Sequence, residues 1–227
     1  SVTHLGDVKR WQEWTINQKI VIEDAAQHWL ANDCTRIGRA AAISFDPMKN
    51  LACYGNGGAV VTNVSDIADY ARNFRDNGKH SQHKYTGTNC RMSELDCATM
   101  MIKTAYLDDW QFRRGEIAQQ YMQGFEGANL RCLIDDNNFH NHAFHKFVID
   151  IDYRDDVKAG LAEKGIETKV HYEYVLPDLS AYRQYPAPNM LGACYSLTRR
   201  VLSLPIYPEL TDSEVEYTIK SVLDLVS

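Results

Sequence analysis

The chain has 227 residues, of which 44% are hydrophobic and 24% charged, with 24 Lys and Arg against 30 Asp and Glu and a net charge of −6. That length allows one large domain or two smaller ones, each with a real core. The mild acidity excludes broad nucleic-acid binding, which needs a basic surface, but leaves room for a local phosphate pocket. No apolar run is long enough to span a membrane, and no stretch reads as a signal peptide. Cys34, Cys53, Cys90, Cys97, Cys132 and Cys194 form no C-x-x-C pair, so neither a zinc site nor a disulfide framework is expected. A reduced, cytoplasmic setting is the simplest reading of those thiols.

Ser1 to Gly6 reads as the end of a strand already under way, with no Met before it, so a longer protein is expected to have lost its front. Val8 to Trp14 suggests a short helix. Lys19-Ile20-Val21-Ile22, closed by Glu23-Asp24, reads as a buried parallel strand. Ala40 to Phe45 and Gly58 to Thr62 are two more apolar runs, and Gly55-Asn56-Gly57-Gly58 is a turn signal. Asp66 to Arg75 is predicted as a helix with Ser65 as its N-cap. Ser93 to Tyr106 has helical spacing, and Asp108 to Phe125 extends as a long charged helix.

The character changes near Gly127, which divides the expected domains into 1–127 and 128–227. Phe144 to Ile151 alternates like a half-buried strand. Asp155 to Lys164 predicts a helix stopped by Gly165, and Ile166 to Tyr172 a further strand. Met190 to Val201 looks helical and Leu202 to Ile206 extended. Thr211 to Val226 is a closing helix, with Thr211 and Glu214 as its capping box.

The chemistry gathers at strand ends. Asp24 follows the first run, Ser44 ends the second, and Lys49 comes just after it. A carboxylate can hold a pyridine nitrogen protonated, and a lysine amine can bond to a carbonyl; the pair suits pyridoxal phosphate (PLP). Singly, Asp24 reads as a cap, Ser44 as a strand-end hydroxyl, Gln27 as a surface amide and Lys49 as a solvated loop lysine. Together they sit beyond the carboxyl ends of two strands, where open α/β sheets bind ligands. His140-x-His142-x-x-His145 invites a metal reading, but no acid or cysteine at supporting spacing accompanies it.

Four motifs in register carry a resemblance. They are Glu23-Asp24-Ala25-Ala26-Gln27, Ser44-Phe45-x-Pro47-x-Lys49-Asn50, Tyr54-Gly55-x-Gly57-Gly58-Ala59-Val60-Val61-Thr62-Asn63, and Gly87-x-Asn89-x-Arg91-Met92-Ser93-Glu94-Leu95. Gly165 to Tyr172 and Leu202 to Thr211 extend it through nearly the whole chain. The chain resembles the DegT/DnrJ/StrS family of PLP-dependent nucleotide-sugar aminotransferases. The resemblance implies an α/β, fold type I transferase: part of the large-domain sheet, incomplete at its N-terminus, plus a smaller C-terminal α/β domain. It implies an amino group moved from an amino acid, usually glutamate, to a keto sugar on a nucleotide. By motif position Lys49 carries the Schiff base, Asp24 pairs with the pyridine nitrogen, Gln27 lies against the cofactor and Ser44 binds its phosphate. Asn89 reaches the phosphate of a neighbouring subunit's cofactor, which implies a homodimer with shared sites. Tyr85, Arg91, His171 and Tyr172 are secondary candidates on the substrate side.

One branch of that family carries histidine in place of the lysine and dehydrates sugars; Lys49 favours transamination. A noncatalytic remnant that only dimerises or binds a partner is the alternative from another class. Two departures stand out. His28-Trp29-Leu30 occupies positions where the family has small residues. The upstream segment that supplies a phosphate loop and a stacking aromatic in the family is not visible, so little or no activity is expected of this chain alone.

Overall fold

A computed structural model describes residues 20–32, 34–134, 139–187 and 191–226. The expectations for residues 1–19 fall outside them. The described residues form two compact units. One holds those up to 111 together with 140–145; the other holds those from 112 to 139 and from 146 on.

The first unit is built on a three-stranded sheet, β1 (Ile22–Asp24), β2 (Ala40–Ser44) and β3 (Gly58–Val61), in that order. β1 and β2 run parallel with Asp24 opposite Ala42; β3 is antiparallel with Gly58 opposite Ser44. The strand is parallel and ends in the two acids as expected, but it is not the buried strand expected of its apolar run, since Ile20 and Ile22 are exposed. The pleat of the strand then turns successive side chains to opposite faces. Glu23 and its register partner Ala41 face inward, while Ile22 and Asp24 are exposed.

Glu23 has an apolar floor of Ala25, Cys34, Ile37 and Ala41 and is itself only 5% exposed. Its carboxylate accepts backbone N–H groups of Thr35 at 2.8 Å, Ile37 at 2.9 Å and Gly38 at 2.7 Å. These bonds fold the β1–β2 connection back under the sheet. Gly38 is required there, because a Cβ would stand 2.8 Å from the Val21 carbonyl oxygen. Burial, then the Glu23 charge, pushes the Cys34 thiol up to about 11, so Cys34 is an inert small hydrophobe.

Three helices follow: α1 (Ser65–Arg75), α2 (Glu94–Thr104) and α3 (Leu107–Gly124). Ser65 is not the cap of α1, as expected, but its first residue. Val64 caps it, and the Val64 N–H is taken by the Thr62 hydroxyl at 3.0 Å. α2 starts on the Ser93 hydroxyl, which accepts from the Asp96 N–H at 3.0 Å.

The second unit carries an antiparallel sheet in the order β4 (Arg131–Cys132), β5 (Phe147–Asp150) and β6 (Val201–Leu204). Every residue of β5 is buried, so the half-buried strand expected from its alternation is covered on both faces. Asp150 accounts for the polar position: it binds Arg131 at 2.9 Å and Arg200 at 2.6 Å. α4 (Arg154–Glu163), α5 (Gly192–Thr198) and α6 (Asp212–Val226) complete the unit. Gly165, at φ +78°, ends the α4 segment as expected. The Thr211–Glu214 box is present: Thr211 N–H donates to Glu214 at 2.8 Å and Glu214 N–H to the Thr211 hydroxyl at 3.3 Å. Ile166 to Tyr172 makes only a single bridge, Lys169 to Ser203, rather than a strand. Among the described residues no helix is long and apolar enough to cross a membrane.

Glu23→Ala leaves three backbone donors without an acceptor and is expected to cost about 3 kcal/mol in urea unfolding. Glu23→Gln keeps an oxygen for Ile37 and Gly38 but turns an amide N–H toward that of Thr35, and is expected to cost about 1–2 kcal/mol. Equal costs for the two would show that the acceptor geometry does not matter.

Candidate active site

Asp24 and Ser44 are the last residues of the neighbouring parallel strands β1 and β2. Both therefore stand at the same, carboxyl-terminal edge of the sheet. Asp24 is exposed, and its carboxylate accepts the Ala26 N–H at 3.2 Å, a long and local bond. The Ser44 hydroxyl accepts the Asp46 N–H at 3.3 Å, which begins the turn that carries Lys49. That turn is closed twice more. Met48 N–H donates to the Asp46 carboxylate and Lys49 N–H to the Asp46 carbonyl, both at 2.9 Å. Lys49 thus sits on a short, stiff connection rather than on a free loop.

Lys49 and Gln27 line one narrow cleft of the first unit, with Trp29, Asn50, Ala143 and His145. Trp29 packs on the apolar floor under β1 and β2 and meets Phe45 edge to face, ring centres 6.1 Å apart. His28, Trp29 and Leu30 all line this cleft. Phe45 is fixed by backbone bonds to Gly57 and Cys53, both at 2.8 Å, and its carbonyl also accepts the Cys53 thiol at 2.8 Å.

Asn50, Gln111 and His145 were not singled out for this site. Asn50 Nδ2 donates to Ala143 O at 2.7 Å and to Gln111 Oε1 at 3.2 Å. His145 Nδ1 lies 3.0 Å from Asn50 Oδ1, and Gln111 Nε2 donates to Ala143 O at 3.0 Å. The adjacency of Asn50 to Lys49 was the available signal for the first. Nothing local marks the others, which come from 61 and 95 residues along the chain.

Asp24 and Ser44 stand at the sheet edge and do not line that cleft, and the remaining candidates lie elsewhere. Asn89 bridges Asp76 beyond α1, its side chain taking the Arg91 Nε–H at 3.4 Å; Arg91 also faces Asp76 at 3.6 Å. Tyr85 packs edge-on against Tyr70 at 5.8 Å. Asn89, Arg91 and Tyr85 are all exposed and none lines the cleft. His171 and Tyr172 belong to the second unit. His171 Nδ1 is 2.8 Å from the Ser203 hydroxyl. Burial, then the charges of Lys146 and Lys169, lowers the His171 imidazole to about 4. His142 Nδ1 accepts the Phe144 N–H at 3.0 Å, a local bond, whereas His145 reaches Asn50. Among the described residues no three His, Cys, Asp or Glu side chains form a metal set.

The model of the DegT/DnrJ/EryC1/StrS aminotransferase family matches residues 4–223. Over 212 residues the chain is 35% identical to the dTDP-3-amino-3,4,6-trideoxy-alpha-D-glucose transaminase of Streptomyces venezuelae, covering 89% of this chain and 55% of that protein. Over 210 residues it is 34% identical to the dTDP-3-amino-3,6-dideoxy-alpha-D-galactopyranose transaminase of Aneurinibacillus thermoaerophilus, covering 89% and 57%. Its fold superposes on S. venezuelae DesV, solved in complex with a ketimine intermediate, at a TM-score of 0.91 and 31% identity, over 100% of this chain and 63% of that one. The chain spans little more than half the length of these curated relatives.

The His171 shift has a definite sign. The imidazole stays neutral in the fold down to about pH 4, while an unfolded one takes up a proton near 6.5. Its contribution to stability is therefore complete above pH 6.5 and is lost as pH falls toward 4. The ring C–H resonances of His171 should titrate near 4 by NMR; a midpoint near 6.5 would contradict the burial.

Proposed function

The chain belongs to the DegT/DnrJ/EryC1/StrS aminotransferase family, and we propose that it is the greater part of a PLP-dependent aminotransferase acting on a nucleotide-linked keto sugar, with an amino acid, glutamate by preference, as donor. The observation that carries this reading is the convergence on one sheet edge: Asp24 and Ser44 end adjacent parallel strands, and the turn from Ser44 delivers Lys49 to the cleft shared with Gln27. The relatives named as dTDP-sugar transaminases support the substrate class.

The donor set fits the cofactor: a primary amine, a carboxylate, an amide and a hydroxyl are the groups that an aldehyde, a pyridine nitrogen, a ring face and a phosphate require. PLP, when bound, supplies an aldehyde for the amino group and a ring that withdraws electrons from the neighbouring carbon. Lys49 would hold the cofactor at that aldehyde, and its amine would carry a proton to and from the substrate carbon. The Asp24 carboxylate would hold the proton of the pyridine nitrogen. The Ser44 hydroxyl would donate to the phosphate, and Gln27 would border the ring. The exposure of Asn89 fits a residue that serves a second subunit, in a homodimer with shared sites. Six free thiols, two of them buried, fit a cytoplasmic enzyme.

Borohydride reduction of the PLP-loaded chain should leave the cofactor bonded to Lys49 in a peptide map. Lys49→Ala should take no label while keeping its circular dichroism, and Asp24→Ala should lower PLP affinity by roughly tenfold or more. A label found on another lysine would overturn the assignment.

A further inference from the structure

The lysine turn is held from both sides, and the second hold is a hydrogen-bonded ring that Asn50 and Gln111 close through the Ala143 carbonyl, with His145 on Asn50. Resting on the reading of Lys49 as the reacting lysine, we propose that Asn50 and His145 are positioning residues for it: together with Gln111 and the Ala143 carbonyl they clamp the carboxyl end of the lysine turn.

The hydrogen-bond chemistry fixes every orientation. A carboxamide nitrogen only donates and its oxygen only accepts. Asn50 Nδ2 faces two acceptors, Ala143 O at 2.7 Å and Gln111 Oε1 at 3.2 Å, so its orientation is settled. Gln111 is settled likewise, since its Nε2 donates to Ala143 O at 3.0 Å. Asn50 Oδ1 is then left toward His145 Nδ1 at 3.0 Å, and an oxygen cannot donate. The proton of that bond therefore belongs to Nδ1 of His145. Turning Asn50 over would set its oxygen against two acceptors, and turning Gln111 over would set its nitrogen against the Asn50 donor, so the network has one arrangement.

The amino side of the turn is held by Asp46, through its carbonyl to Lys49 N–H and its carboxylate to Met48 N–H. Local sequence provides that half. The clamp at Asn50 is provided from 93 and 95 residues away. Residues 140–145, which include Ala143 and His145, group with the first unit although their neighbours on both sides belong to the second. His145 is 8% exposed and lines the same cleft as Lys49 and Asn50. A lysine displaced by a fraction of an ångström loses its line of approach to an aldehyde held elsewhere.

The experiment measures the rate at which borohydride traps PLP on Lys49, read by peptide mapping. Asn50→Asp keeps the size but loses both donors, and it should slow trapping by roughly tenfold to hundredfold. His145→Gln should slow it comparably, because its amide extends to the place of Nε2. His145→Asn puts a donor on the same carbon as Nδ1 and should recover trapping to within about threefold of the parent. A long-range proton–nitrogen spectrum of the cofactor-free chain should show His145 protonated at Nδ1. If the parent is labelled at Lys49 and all three variants match it, or if the neutral ring carries its proton on Nε2, the clamp is refuted while the lysine assignment stands. A parent that takes no label at Lys49 overturns both. Melting curves of each variant, with His145→Asn as the conservative control, separate slow trapping from loss of fold.

Discussion

A buried carboxylate gathering three backbone N–H groups is the constraint on which the first unit depends. Glu23 fixes the connection from β1 to β2, and with it the spacing and parallel sense of the two strands. Because side chains alternate along a strand, anchoring Glu23 inward fixes Asp24 outward at the sheet edge. A slip of one residue would bury Asp24 and expose the anchor. The two adjacent acids therefore end in opposite settings: one organises the backbone, the other stands exposed at the sheet edge.

The lysine turn grows from the same edge. Ser44 closes β2 and opens the turn, so the residue proposed to hold a phosphate also begins the positioning of Lys49. Phe45 and Cys53 tie the far side of the turn to the apolar floor, with Trp29 against the Phe45 ring. The cleft is consequently shaped by packing on one side and by hydrogen bonds on the other. Its polar wall is the Asn50 clamp, which needs three separate parts of the chain.

How much of this was legible in the sequence depended on range. The Thr211–Glu214 box, the Gly165 stop and the helix beginning at Ser93 are contacts over a few residues, and their residue types announce them. Asp24, Ser44, Gln27 and Lys49 were picked out as a set because their motifs stand in register, and the family those motifs resemble is the one whose model matches residues 4–223. Glu23 was read only as part of the strand-closing pair, since nothing in a Glu-Asp dipeptide says which acid the pleat will bury. Gln111 and His145 were missed for this site because their partners lie 61 and 95 residues from them. β5 misled for a related reason. A His, a Lys and an Asp punctuate the run from Phe144 to Ile151, and the ion pairs of Asp150 that permit full burial come from β4 and from Arg200.

Asp150 and Glu23 show how one rule separates structural acids from ligand-holding ones. Each is less than a tenth exposed and each has its oxygens occupied within its own unit, Asp150 by two guanidinium groups and Glu23 by three amides. A buried carboxylate so satisfied has little left to offer a ligand, and removing its partners strands a charge. Asp24 is the converse: exposed at a strand end, with one long local bond, it keeps its remaining lone pairs for another donor. A protonated ring nitrogen is such a donor, and it requires an acid in that state.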